Sequence, residues 1–252
     1  VSGGSIILDG TDIYENPENI LKLRGKKIGL IFQDPQTSLN PILTIGEQLI
    51  ETIQTHLKLS TEEAKNKAIN LLKEVGIKDA ETRFNNYPHQ FSGGMRQRVV
   101  ISLALCCEPE LLIADEPTTA LDVLTQARII NLFKKLKKTG MTLLLISHDL
   151  SVLSEVAEKI GIMYGGKMVE FGNSSEIFQT PKHPYTIGLL ESIPRIHGDK
   201  KPKFISGIPP NLLNVGEGCR FIDRCPEAME KCKQSPPKIN TESGYVLCWL
   251  YE

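Results

Sequence analysis

Residues 111–122 read LLIADEPTTALD. An apolar run from Leu111 to Ala114 ends on two adjacent carboxylates, Asp115 and Glu116. A buried strand in an open α/β sheet delivers its last residues to the carboxyl edge, where such folds bind ligands. There Asp115 is placed to hold magnesium and Glu116 to polarise an attacking water. A strand running into a helix cap gives the same string without any chemistry, so the flanking sequence has to decide.

Downstream, residues 125–138 carry a helical pattern closed by Gly140, and TLLLIS at 142–147 reads as another strand. Upstream, FSGGMRQR at 91–98 starts a helix with Ser92 as N-cap, and the apolar face runs to about Cys106 before Pro109 stops it. Gly93 and Gly94 leave the amides of its first turn bare, a ready anion site at the positive end of the helix dipole. Ser60 and Glu63 form a capping-box pattern that predicts a helix over 60–75 ended by Gly76. Residues 1–34 read as β with a charged connector, and the apolar run Ile28 to Phe32 suits a buried strand. Strands alternating with helices predict a parallel α/β sheet with both faces covered. Beyond it, KIGIMYGGKMVEFG at 159–172 is a β-hairpin turning at Gly165 and Gly166. Helical pieces around Glu176 and Tyr185 follow, the second opened by Pro184, and residues 195–218 read as a linker around a short strand.

With 252 residues, 40% of them hydrophobic and 23% charged, the chain can build a large core. A net charge of -1 with no basic run argues against nucleic acid or anionic lipid as partner. The longest apolar stretch, VVISLALCC at 99–107, falls well short of a membrane span. Six cysteines without an export signal point to a reducing compartment. Within the helical run, Cys106 and Cys107 are expected to be simply buried.

Taken together, these stretches resemble the nucleotide-binding subunit of an ABC transporter. FSGGM is similar to the family's LSGGQ signature, with Phe91 and Met95 as departures, and IFQDP at 31–35 is similar to its Q-loop. LLIADEP is similar to Walker B, TALD to the D-loop through Asp122, and LLISHD to the switch segment through His148. The resemblance implies an α/β fold: a RecA-like parallel sheet over 1–35 and 108–172, a helical signature subdomain over 36–107, and a C-terminal extension over 173–252. It implies ATP and Mg²⁺ as ligands, Asp115 at the metal, Glu116 as general base, His148 at the γ-phosphate and Gln33 as sensor of metal and water. Ser92, Gly93 and Gly94 would cap a nucleotide held by a second ABC ATPase subunit, a paralogue or another copy.

Within the family, HPYTIGLLESIP at 183–194 and GCRFIDRCPEAMEKC at 218–232 look like oligopeptide and dipeptide importer subunits. That implies transmembrane permease partners, no membrane insertion of this chain, a place on the cytoplasmic face of the membrane, and a role in driving peptide uptake. Two other readings are a soluble ABC-type ATPase unconnected with transport and a non-hydrolysing metal or redox module.

Cys219, Cys225, Cys232 and Cys248 are separated by five, six and fifteen residues, a poor match to the tight pairs of zinc knuckles. The resemblance implies a [4Fe-4S] cluster on these four thiolates, with zinc or free thiols as alternatives. Arg220 and Arg224 are expected either to offset a cluster's negative charge or to sit in solvent. A tail with so few apolar residues is expected to have little core of its own, so that a metal cross-link would stabilise it.

A phosphate-binding GxxxxGK followed by Ser or Thr is not found in the 252 residues. In the family SIILDGTDI follows that loop, so the loop is expected just upstream of Val1, with the chain a truncated piece of a longer product. A chain without it is expected to hydrolyse almost no ATP alone, to lack a central strand of its sheet, and to serve at most by lending its signature helix to a partner.

Overall fold

The computed structural model describes residues 3–13, 17–119, 121–193, 202–214 and 216–252. Two compact units divide the chain, Val1–Val156 and Ala157–Glu252. Ala120 of the D-loop motif and the linker residues 194–201 lie outside the described residues.

The first unit opens with β1 (Ile7–Leu8) and β2 (Thr11–Asp12), which pair antiparallel. The expected charged connector then holds a helix, α1 (Pro17–Leu23), before β3 (Ile28–Ile31). Next come the helices α2 (Pro35–Ser38), α3 (Ile45–His56), α4 (Thr61–Glu74), α5 (Ala80–Arg83) and α6 (Gly93–Leu105). Strand β4 (Leu111–Asp115), α7 (Val123–Lys138), β5 (Thr142–Ile146) and α8 (Leu150–Val156) complete the unit.

Capping fixes where these helices begin. Ser60 accepts the Glu63 N–H while the Glu63 carboxylate accepts the Ser60 N–H at 2.8 Å, and Thr44 with Glu47 does the same for α3. Each box satisfies two amides that the first turn would otherwise strand. Ile45, Leu49, Ile53, Ala64, Ala68 and Leu72 are fully buried in a core shared with α6. Cys106 and Cys107 are buried there too, as expected.

The sheet is parallel in the order β3-β4-β5, with Ile31 beside Ala114 and Ala114 beside Leu145. One face packs on the helices: Ile31, Leu112 and Ala114 are 0% exposed. Gly29 lets β3 press against the end of α6, since a Cβ there would stand 2.4 Å from the Ala104 carbonyl oxygen. The other face departs from the expectation of two covered faces. Leu30, Phe32, Leu144 and Ile146, which the register places on it, are 42%, 55%, 52% and 49% exposed. Among the described residues no helix covers them, an unusual state for a parallel sheet.

In the second unit, β6 (Lys159–Tyr164) and β7 (Lys167–Asn173) form the expected hairpin, and Gly165 and Gly166 have φ of 55° and 79°. Such left-handed values at both turn positions match the right-handed twist of the strands. Helices α9 (Ser174–Gln179) and α10 (Pro184–Glu191) follow. No strand appears among the described linker residues 202–214 and 216–218. Instead β8 (Lys238–Asn240) and β9 (Tyr245–Leu247), both from the cysteine-rich tail, join the hairpin in the antiparallel order β6-β7-β9-β8.

The tail therefore has a core, against the expectation. Phe221 is 2% exposed and packs edge-on against Tyr164 at 5.1 Å and Tyr185 at 5.4 Å between ring centroids. Arg220 and Arg224 are tied down by hydrogen bonds rather than free in solvent. Arg224 donates to the Ser206 and Ile205 carbonyls at 2.9 and 3.1 Å and to the Tyr164 hydroxyl at 3.1 Å, and Arg220 donates to the Gly165 carbonyl.

Candidate functional site

The parallel register decides which side chains meet. Because Ile31, Ala114 and Leu145 lie side by side, the residues two places further on emerge together at the carboxyl edge. Those are Gln33, Glu116 and Ser147, with Asp115 and His148 adjacent in sequence. Loop residues at this edge of a rigid sheet are where open α/β folds place their chemistry.

Glu116 is the most constrained of them. Its backbone adopts φ of 48°, outside the region that residues with a side chain prefer, and its N–H donates to the Ile146 carbonyl at 3.0 Å. That turn swings the carboxylate off the strand and towards the β5 loop. Oε2 accepts from the Thr119 hydroxyl at 2.8 Å, while Oε1 accepts the His148 N–H at 2.9 Å and contacts His148 Nδ1 at 2.7 Å. Burial pushes this carboxyl up, but the donors from His148 and Thr119 outweigh it and hold the group below the usual carboxylate range. His148 responds in the opposite sense: the hydrogen bond and charge of Glu116 raise it above an ordinary histidine. Thr119 is absent from the site residues expected from the sequence, although a hydroxyl three residues after a carboxylate at a turn is the pattern that flags such a partner.

Asp122 sits apart, as N-cap of α7, accepting from the Thr125 N–H at 3.0 Å and its hydroxyl at 2.7 Å. Ser92 is exposed and caps α6 through the Met95 N–H at 3.4 Å. A Cβ on Gly93 would meet nothing within 4 Å, so this helix start is open to a ligand. Among the described residues no hydrogen bond links Ser92, Gly93 or Gly94 to Glu116 or His148. The tie between the two regions is buried Gln97, whose Nε2 donates to the Pro117 carbonyl at 3.1 Å.

The second unit gathers another donor set. Cys219, Cys225, Cys232 and Cys248 line one small cavity, walled also by His183 and Phe221. All four are free thiols. Burial pushes Cys219 and Cys248 up and Cys225 to about 11, and each is raised further by charge on neighbouring cysteines. Such thiols stay protonated unless a cation compensates them. As they stand, no three His, Cys, Asp or Glu side chains among the described residues are disposed to hold a metal ion. His183, which the sequence did not single out, is 1% exposed and is lowered to about 4 by burial.

Residues 1–119 match the ABC transporter family, and residues 169–232 match the oligopeptide/dipeptide transporter C-terminal region. The chain is 46% identical to the dipeptide transport ATP-binding protein DppD of Bacillus subtilis, over 100% of this chain and 77% of that protein. With the oligopeptide transport ATP-binding protein OppD of Escherichia coli it shares 48% identity, over 93% of this chain and 71% of the other. Among solved structures, the ATP-binding cassette MJ0796, captured as a dimer in a post-hydrolysis state bound to ADP and Pi, superposes with a TM-score of 0.63 at 29% identity. That match covers 69% of this chain and 74% of the other.

Proposed function

The chain belongs to the ABC transporter family, in its oligopeptide and dipeptide branch, and from that premise we propose that it binds and hydrolyses ATP to drive peptide uptake. Two ATPase subunits would sandwich the nucleotide while transmembrane permease subunits carry the peptide. No helix among the described residues is long and apolar enough to cross a membrane, which fits a subunit held at the cytoplasmic face by those permeases. The RecA-like core, the helical insert and the cysteine-bearing extension then have the roles of engine, partner-facing arm and accessory domain.

The observation that carries the proposal is the carboxylate of Glu116, held at the sheet edge by Thr119 and His148. Asp115 is a hard oxygen donor suited to Mg²⁺, which supplies charge neutralisation at the phosphates when bound. Glu116, ionised and aimed by two neighbours, accepts the proton of the attacking water. With Nδ1 turned to Glu116, His148 directs Nε2 outward, and the carboxylate favours an imidazolium whose Nε2–H donates to the γ-phosphate. Gln33, at the end of β3, orders the metal and its water. Asp122 serves the D-loop, and the open amides at Gly93 and Gly94 cap the partner's nucleotide. The phosphate loop, which these residues do not contain, would bring a strand and a helix, and the apolar face bearing Leu30, Phe32, Leu144 and Ile146 is suited to receive that helix.

For the tail, the proposal is a [4Fe-4S] cluster on Cys219, Cys225, Cys232 and Cys248. The donor chemistry fits, since four free thiols line one desolvated cavity. Zinc, bound by four sulfurs at about 2.3 Å each, is the alternative on the same thiolates. A cage of several irons takes its four thiolates from wider apart.

The test is Glu116→Gln in the assembled transporter. It should lower ATP turnover by about 10² to 10⁴, the usual worth of a positioned general base, while leaving nucleotide binding intact. Turnover within a factor of a few of wild type would remove Glu116 from the chemistry.

A further inference from the structure

His183 is fixed from both sides. Its N–H donates to Glu170 Oε2 at 3.0 Å and the neighbouring Lys182 N–H donates to Oε1 at 2.7 Å, onto a carboxylate that is itself 3% exposed. The ring caps α10, with Nδ1 accepting the Tyr185 N–H at 3.1 Å. A ring nitrogen that accepts carries no proton, so this hydrogen bond assigns the neutral tautomer protonated at Nε2. Phe221 lies 6.0 Å from the ring and helps hold its orientation. With Nδ1 committed to the helix, Nε2–H is the polar group the ring has left to present, and His183 lines the cavity shared by Cys219, Cys225, Cys232 and Cys248.

We propose that His183 is a positioning residue for the cysteine-bound group, its Nε2–H donating a hydrogen bond to a sulfur of the [4Fe-4S] cluster. The inference rests on the cluster reading above. An N–H directed at sulfur stabilises the added negative charge of a reduced cluster, and hydrogen bonds to the sulfurs are among the factors that set its potential. His183 therefore holds this cluster at a higher potential than the cysteines alone would give.

Two variants separate the donor from the cap. His183→Asn keeps an acceptor for the Tyr185 N–H, since Asn is a good N-cap, but its side chain ends short of the Nε2 position. His183→Gln extends an amide N–H to about that position. Each protein is purified anaerobically, its iron and sulfide are measured, and the visible band of the cluster is followed while dithionite delivers one electron per cluster. The Asn variant is expected to shift the oxidised-to-reduced equilibrium about tenfold toward the oxidised form, the worth of one such hydrogen bond, or about 59 mV for a one-electron couple. The Gln variant should stay near wild type. Pulsed EPR of the reduced wild-type protein, made with ¹⁵N-labelled histidine, should show a ring-nitrogen coupling that the Gln variant lacks. An Asn variant with wild-type iron content and wild-type potential, or no nitrogen coupling in the wild type, overturns the role of His183 alone. A wild-type chain that binds no iron overturns the cluster reading and this inference with it.

Discussion

If an aromatic nucleus organises the second unit, then Phe221→Ala should destabilise it strongly without touching a single candidate ligand. Phe221 is 2% exposed and its ring meets Tyr164, Tyr185 and His183. Truncating a phenylalanine this well enclosed costs about 3–5 kcal/mol, most of it lost transfer energy plus the cavity left behind. The two edge-on aromatic contacts add about 0.5–1.5 kcal/mol each, a share already inside that range. For a unit of this size a urea slope of about 2 kcal/mol per M turns 4 kcal/mol into a midpoint about 2 M lower. The assay is built in: Trp249 is the chain's one tryptophan and belongs to the second unit, so its fluorescence reports that unit's unfolding. The measurement is made on metal-free protein under reducing conditions. A midpoint moving by less than about 0.5 M, or a metal-free wild type with no cooperative tryptophan transition, would show that metal and not the aromatic nucleus holds the tail.

At the other site, Glu116 raises His148, so Glu116→Gln should bring the His148 titration, followed by NMR of the ring, back down towards the ordinary value of about 6.5. The sign follows from the direction: the charged pair contributes below the unfolded-state value and is lost as pH rises through the raised folded-state value. An unmoved titration would mean that the 2.7 Å contact is not formed in solution. Gly29→Ala should destabilise the first unit by about 1–3 kcal/mol, seen as a lower circular-dichroism melting point, because the Ala104 carbonyl that a Cβ would strike is backbone and cannot turn aside. An unchanged melt would show that β3 does not press on α6 as described.

Much of the first unit was legible because its signals are local. The Ser60 and Glu63 pair marks a helix start, and the apolar runs before Gln33, Asp115 and His148 mark three strands whose ends had to share an edge once the strands were parallel. The remaining features depend on contacts between distant residues. A three-residue strand such as Tyr245–Leu247 has no period to detect, so its pairing with β7 and the core it creates were invisible. The left-handed turn at Glu116 belongs to backbone geometry that composition does not encode. His183 read as part of a motif and nothing more, since its cavity is assembled from residues 219–248.

The insertion of five helices between β3 and β4 also sets the order in which the chain assembles. Lys27 and Glu110, which bond beside the first pair of this register, are 83 residues apart. Closing a loose loop of that length costs about 4 kcal/mol in chain entropy before any strand contact is gained. The insert removes most of that cost, because α2 at its beginning and α6 at its end pack on each other. Their folding brings the ends of β3 and β4 within reach, leaving only short connectors to close. Slow steps in refolding should therefore track mutations at the α2 and α6 contact, and the strand register should form after it.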